Sequence, residues 1–99
     1  MKIDYRHDLT SEEAYERINS LLENLQKKHS DKISNPKTNW NSNHTQMAYS
    51  MEIKGFKVEG QVRLDNNQIT LEGKLPGPAK LFSGKIKKMV KTQLDESFS

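Results

Sequence analysis

The residue pattern predicts an α+β fold: a two-layer sandwich with an antiparallel sheet of four to five strands and both helices on one face, in the order β-α-β-β-β-β-α. Three observations lead there. Two stretches with helical apolar spacing bracket a run of short segments that alternate with period 2. The turns between those segments are short enough to require antiparallel neighbours. The helix stripes and the inward strand sets are also of matching size, so each layer can cover the other.

Residues 2–9 form the first alternating segment. Ile3, Tyr5, His7 and Leu9 share one parity, and Asp4, Arg6 and Asp8 take the other. Thr10-Ser11-Glu12-Glu13 then reads as a capping box, with Leu9 and Ala14 placed as a hydrophobic staple. The first helix is expected over residues 10–28. Its stripe is Ala14, Ile18, Leu21, Leu22 and Leu25. Glu13 with Arg17, and Glu23 with Lys27, are spaced to pair along it, and Lys27, Lys28 and His29 suit the negative end of its dipole.

Residues 30–45 are polar and irregular. Pro36 and the asparagines Asn39, Asn41 and Asn43 argue against a long regular element. Trp40 is expected to anchor a short strand on the core. Three strands follow. Met47, Tyr49, Met51 and Ile53 point inward in the first, then Phe56, Val58, Val62 and Leu64, then Ile69, Leu71 and Leu75. Turns are expected near Gly55 and at Asp65-Asn66-Asn67. Gly60 and Gly73 fall at inward positions, where they leave room for a helix or let the sheet bend. After Pro76-Gly77-Pro78 a second helix is expected over residues 79–97, with Phe82, Ile86, Met89, Val90 and Gln93 on one face.

At 99 residues the chain is expected to be one domain, 1–99. Charged residues make up 29% and apolar residues 32%, so the core depends on placement rather than on quantity. There is no cysteine, which excludes disulfides, thiol nucleophiles and iron–sulfur chemistry and makes a cytoplasmic location the default. No apolar run approaches the ~20 residues of a membrane span. Met1-Lys2-Ile3-Asp4 carries charge and alternation where a signal peptide has an apolar stretch.

The net charge of +3 is unevenly spread: Lys74, Lys80, Lys85, Lys87, Lys88 and Lys91 lie in a stretch without one acid. Lys80, Lys87, Lys88 and Lys91 are the candidates for contact with an anionic surface. The bland reading is a solvated face that serves solubility. Nucleic acid is not expected as a partner, because the outward sheet face offers no aromatic platform for stacking bases. His7 is the one histidine among core positions, a candidate ligand-binding group or a structural hydrogen-bonding residue bonded to Glu13 or a backbone group near the first helix. His29 and Asp31 are too few to make a metal site. No phosphate loop or catalytic triad has the required spacing. No cofactor or metal is expected, and a non-enzymatic role is.

The opening His7-x-Leu9-x-x-Glu12-Glu13-Ala14-x-x-Arg17 resembles a small bacterial family, the polyhydroxyalkanoic acid system proteins. So do Trp40, the series Gly55, Val58, Gly60, Val62 and Asp65, and the strand ending at Leu75-Pro76 before a helix with Phe82, Ile86 and Leu94. The likeness spans nearly the whole chain. It implies a bacterial cytoplasmic protein tied to storage-polyester metabolism, and it brings no catalytic residue. The chain departs from the family pattern in its broken Pro76-Gly77-Pro78 step and in its lysine-rich last helix. In form the expected fold resembles TATA-box-binding-protein-like or helix-grip architectures, a likeness that carries no function.

The function expected from these readings is that of an accessory or binding protein. Its partner would be a polyester granule or a small apolar ligand, the latter held between sheet and helices, with His7, Gly60 and Gly73 as candidate ligand-binding positions. The alternative is an electrostatic binder of anionic polymer or membrane surface through the lysines of the last helix.

Overall fold

A computed structural model describes residues 1–98. The elements run β1 (Lys2–Arg6), α1 (Ser11–Lys28), β2 (Ile33–Trp40), β3 (Gln46–Ile53), β4 (Phe56–Asp65), β5 (Gln68–Lys74), a 3-10 segment (Gly77–Phe82) and α2 (Ser83–Phe98). The five strands form one antiparallel sheet in the order β1-β5-β4-β3-β2. Consecutive strands β2 to β5 pair through short turns. The chain therefore uses α1 to cross from one sheet edge, β1, to the other, β2.

Both helices lie on the face the parities predict. Val58 and Val62 are buried, while Lys57 and Arg63 on the same strand are exposed. Ile18, Leu21 and Leu25 of α1 and Ile86, Val90 and Leu94 of α2 join Ile3, Met47, Ile69 and Leu71 of the sheet in one core. The hydrophobic pattern thus sets the register, because a one-residue slip would turn every apolar strand residue to solvent.

The start of α1 follows its capping signature. The Glu13 amide donates to Thr10 Oγ1 at 3.2 Å, and the Glu13 carboxylate accepts from the Thr10 hydroxyl at 3.0 Å. Glu23 and Lys27 pair at 3.3 Å. Arg17 does not pair with Glu13. Its guanidinium donates to the Ser97 carbonyl at 2.9 Å and so satisfies one of the free carbonyls at the end of α2. Helix-to-helix packing outcompetes a pairing along one helix surface that is worth only a few tenths of a kcal/mol.

Two elements differ from the sequence expectation. Residues 33–40 form an eight-residue strand rather than an irregular stretch. It is an edge strand that buries only Ile33 and half-buries Trp40, so it shows no alternation. A bulge places two residues, Asn35 and Pro36, opposite one of β3, with Asn35 at φ 52°. Proline is tolerated there because a bulge on an edge needs no amide from it. The second departure is at α2, which begins at Ser83 rather than near Ala79. Residues 77–82 wind as a 3-10 segment instead, with Pro78 inside its first turn.

Candidate functional site

On sequence grounds the glycine row was open to a ligand, and the structure adds a second place at the end of the sandwich. Tyr49, Gly60 and Gly73 are register partners across β3, β4 and β5. The buried Tyr49 side chain reaches across both glycines, and its hydroxyl donates to the Glu72 carbonyl at 2.7 Å. A Cβ on residue 60 would lie 1.9 Å from that carbonyl oxygen, and one on residue 73 would lie 2.8 Å from the Tyr49 hydroxyl. The glycines thus make room for the tyrosine and for the close approach of the Glu72 carbonyl, and with Tyr49 they line a hollow of about 890 Å³ that also takes in Glu59, Gln61 and Glu72. Burial, with the Glu72 carboxylate a smaller cause, pushes the Tyr49 phenol up to about 12.

The second place is at the end of the sandwich, where the β3–β4 turn meets α2. Lys54 and Gly55 both have positive φ, 53° and 82°, as a two-residue hairpin turn requires. The Lys54 amide donates to the Lys32 carbonyl at 2.8 Å, which ties this turn to the segment leaving α1. The 3-10 segment stops short of closing the gap. A cavity of about 330 Å³ results, at the small end of the range for ligand pockets. Its floor is apolar: Ile53, Phe56 and Val58 from the hairpin, Phe82, Ile86 and Met89 from the 3-10 segment and α2. Its rim carries Lys28, Lys32, Lys54, Lys85 and Lys88, with His29 and Thr92, and no carboxylate lines it.

Those five cations are not equivalent. Lys28 is held by Glu96 at 2.7 Å, and the Lys54 ammonium sits 4.6 Å from the centre of the Phe82 ring, a cation–π contact. Among the described residues no acid pairs with Lys32, Lys85 or Lys88. The pocket is thus an apolar hollow under a positive field, a combination that suits a ligand with an apolar body and a negative end.

The lysines singled out from the sequence divide between places. Lys88 is on this rim. Lys80 and Lys87 line a separate groove of about 650 Å³ with Lys74, Met1 and Ser83. Lys91 is exposed and lines neither. Lys32 and Lys54 escaped sequence reasoning because each sits in a turn, where nothing in the local pattern says which way it faces. Lys85 was visible as part of the lysine run, but its place on the rim was not.

His7 is 9% exposed and lies away from the pocket. Its Nδ1 accepts from the Leu9 amide at 3.1 Å, which assigns the proton to Nε2. The backbone group, not Glu13, is its partner. Nε2 is buried with no partner among the described residues, and the ring packs on Phe98 with centroids 5.2 Å apart. Trp40 anchors β2 as expected: its indole donates to Asn19 at 3.0 Å, and its ring meets that of Tyr15 edge-on at 4.8 Å. Exposed His44 stacks on the other side of this cluster, 4.1 Å from the Tyr15 ring centre.

Residues 1–98 match the family described as "Putative polyhydroxyalkanoic acid system protein". The chain belongs to that family. No curated protein matches it, and no solved structure does. The membership agrees with the resemblance carried by His7, Trp40 and the strand glycines. No helix among the described residues is long and apolar enough to cross a membrane.

Proposed function

We propose that this chain is a non-catalytic accessory protein of the polyhydroxyalkanoic acid system that binds a small apolar ligand in the cavity between the β3–β4 hairpin and α2, in the cytoplasm. The observation that carries this is the cavity itself. It is about 330 Å³ and is lined by seven apolar side chains, Ile53, Phe56, Val58, Ala79, Phe82, Ile86 and Met89. A granule surface is the weaker partner. Leu81, at 87% exposure, is the one large apolar side chain exposed among the described residues, and a single leucine is ordinary on a protein surface.

The neutral dye N-phenyl-1-naphthylamine tests the reading. Saturable one-to-one uptake is expected, and it should fall when Val58→Phe narrows the floor while circular dichroism stays unchanged. Absence of any uptake would end the reading. Co-sedimentation with purified polyester granules, unaffected by Val58→Phe, would replace it with surface binding.

A second reading has its own support. Lys74, Lys80 and Lys87 converge on one groove that no acid lines, as an electrostatic binder of anionic polymer or membrane would need. Retention on anionic vesicles at low salt should then be lost in the Lys80→Glu/Lys87→Glu/Lys91→Glu variant, and in wild type as salt rises. Undiminished retention by the folded variant eliminates it.

A further inference from the structure

From the rim of the cavity we infer the ligand's chemical class: an amphiphile with an apolar chain and an anionic head, the chain on the floor and the head at Lys85, Lys88 and Lys32. This rests on the proposal that the cavity binds a ligand and adds the charge and orientation of that ligand. An apolar ligand without charge needs only the floor. It gives no reason for five lysines around one mouth with no carboxylate among the lining residues. Like charges gathered this way repel one another, and an anion at the mouth relieves that repulsion.

The geometry also orders the lysines by availability. Lys28 is engaged by Glu96 at 2.7 Å, and Lys54 lies over Phe82 at 4.6 Å. Lys32, Lys85 and Lys88 are ion-paired with no acid among the described residues. Lys85 and Lys88 are three apart on α2 and so share a side of the helix. Ile86 and Met89, one position further along, line the same cavity. One short stretch of helix thus supplies both the apolar wall and the cationic lip. Lys54, held against the Phe82 ring, forms part of the opposite lip, with the chain of the ligand expected between them.

Carboxylate and phosphate heads share this chemistry, so the probes include both. Binding of decanoate, decyl phosphate and the neutral decanol is measured by displacement of N-phenyl-1-naphthylamine at low salt. The anions are expected to bind at least tenfold tighter than decanol, and the better of the two names the head. Within the preferred series each added methylene should tighten binding about fourfold, the equivalent of ~0.8 kcal/mol, until the chain fills the floor.

The Lys85→Gln/Lys88→Gln variant should lose at least tenfold in affinity for the anions and nothing for decanol. Lys87→Gln/Lys91→Gln removes the same charge from the same helix away from the cavity and should change neither. Decanol binding as well as the anions, or equal losses in the two lysine pairs, would overturn the anionic-head inference while leaving the apolar pocket standing. Failure of dye and all three probes to bind would overturn both. All four lysines are exposed, so both variants are expected to fold, as unchanged circular dichroism would show.

Discussion

The glycine row and the hairpin pocket differ in what meets the sheet on its helix side. Gly60 and Gly73 line a hollow of about 890 Å³, yet the place a side chain of their own would take is occupied by the Tyr49 hydroxyl and the Glu72 carbonyl. Phe56, Phe82 and Met89 are large, yet a cavity of about 330 Å³ lies among them. Small residues invite a neighbour to approach, and here the neighbour is a tyrosine one strand from Gly60 and two from Gly73. Large residues at the end of a layer need something to meet them. There the 3-10 segment and the start of α2 do not reach far enough. Interior volume is therefore decided by what comes across the sheet.

The largest effect that would sharpen this contrast is expected at Gly60. Gly60→Ala puts a methyl 1.9 Å from a backbone oxygen that cannot rotate away, and should cost about 3 kcal/mol in chemical denaturation. A loss under 1 kcal/mol would mean that β5 is not held where the row requires.

Tyr49→Phe comes next, with a signature in pH. At neutral pH it should cost about 1 kcal/mol, the net value of the bond to Glu72. The folded protein holds the phenol up to about 12, from an ordinary 10.0. A raised folded value means that the stabilisation is complete below pH 10 and is lost as pH rises towards 12. Across that window wild type should lose about 2–3 kcal/mol more than Tyr49→Phe. Parallel stability curves would show that the ring is not buried over the glycines.

Gly73→Ala should cost less than Gly60→Ala, about 1 kcal/mol. Its added methyl meets the Tyr49 hydroxyl at 2.8 Å and the Met1 side chain at 3.1 Å, and both sit at the ends of side chains that can shift. If the two glycine variants were equally destabilised, the close approach of the Glu72 carbonyl to Gly60 would not be the special constraint.

Val58→Ile is the smallest change and faces the other region. One extra methylene at the pocket floor should cost nothing and can gain up to ~0.8 kcal/mol by burial. Clear destabilisation would show that the floor is already packed and that the cavity lies elsewhere.

Much of the architecture was legible in the residue string. Thr10 through Glu13 announced the start of α1, and the parity of β3, β4 and β5 told which side each residue faces. The strand expected at Trp40 was read too short, because an edge strand such as β2 that buries little needs no alternation. The start of α2 was misplaced by a few residues, since Pro78 is as acceptable in a 3-10 turn as in the first turn of an α-helix. Of the candidate site, Lys85 and Lys88, the inward Ile53, Phe56 and Val58 and the apolar face of α2 were visible, but not that they meet.

The sequence by itself determined the class of most elements and the inward face of each, because periodicity is a property of neighbours along the chain. It could mark Gly60 and Gly73 as special without saying what they admit. The tertiary structure alone decided that Tyr49 fills their space, that Arg17 serves α2 rather than its own helix, and that Lys32, Lys54, Lys85 and Lys88 meet at one mouth. Each of these depends on distances between segments far apart in sequence. Such distances are set by how the two layers pack, and no local pattern encodes them.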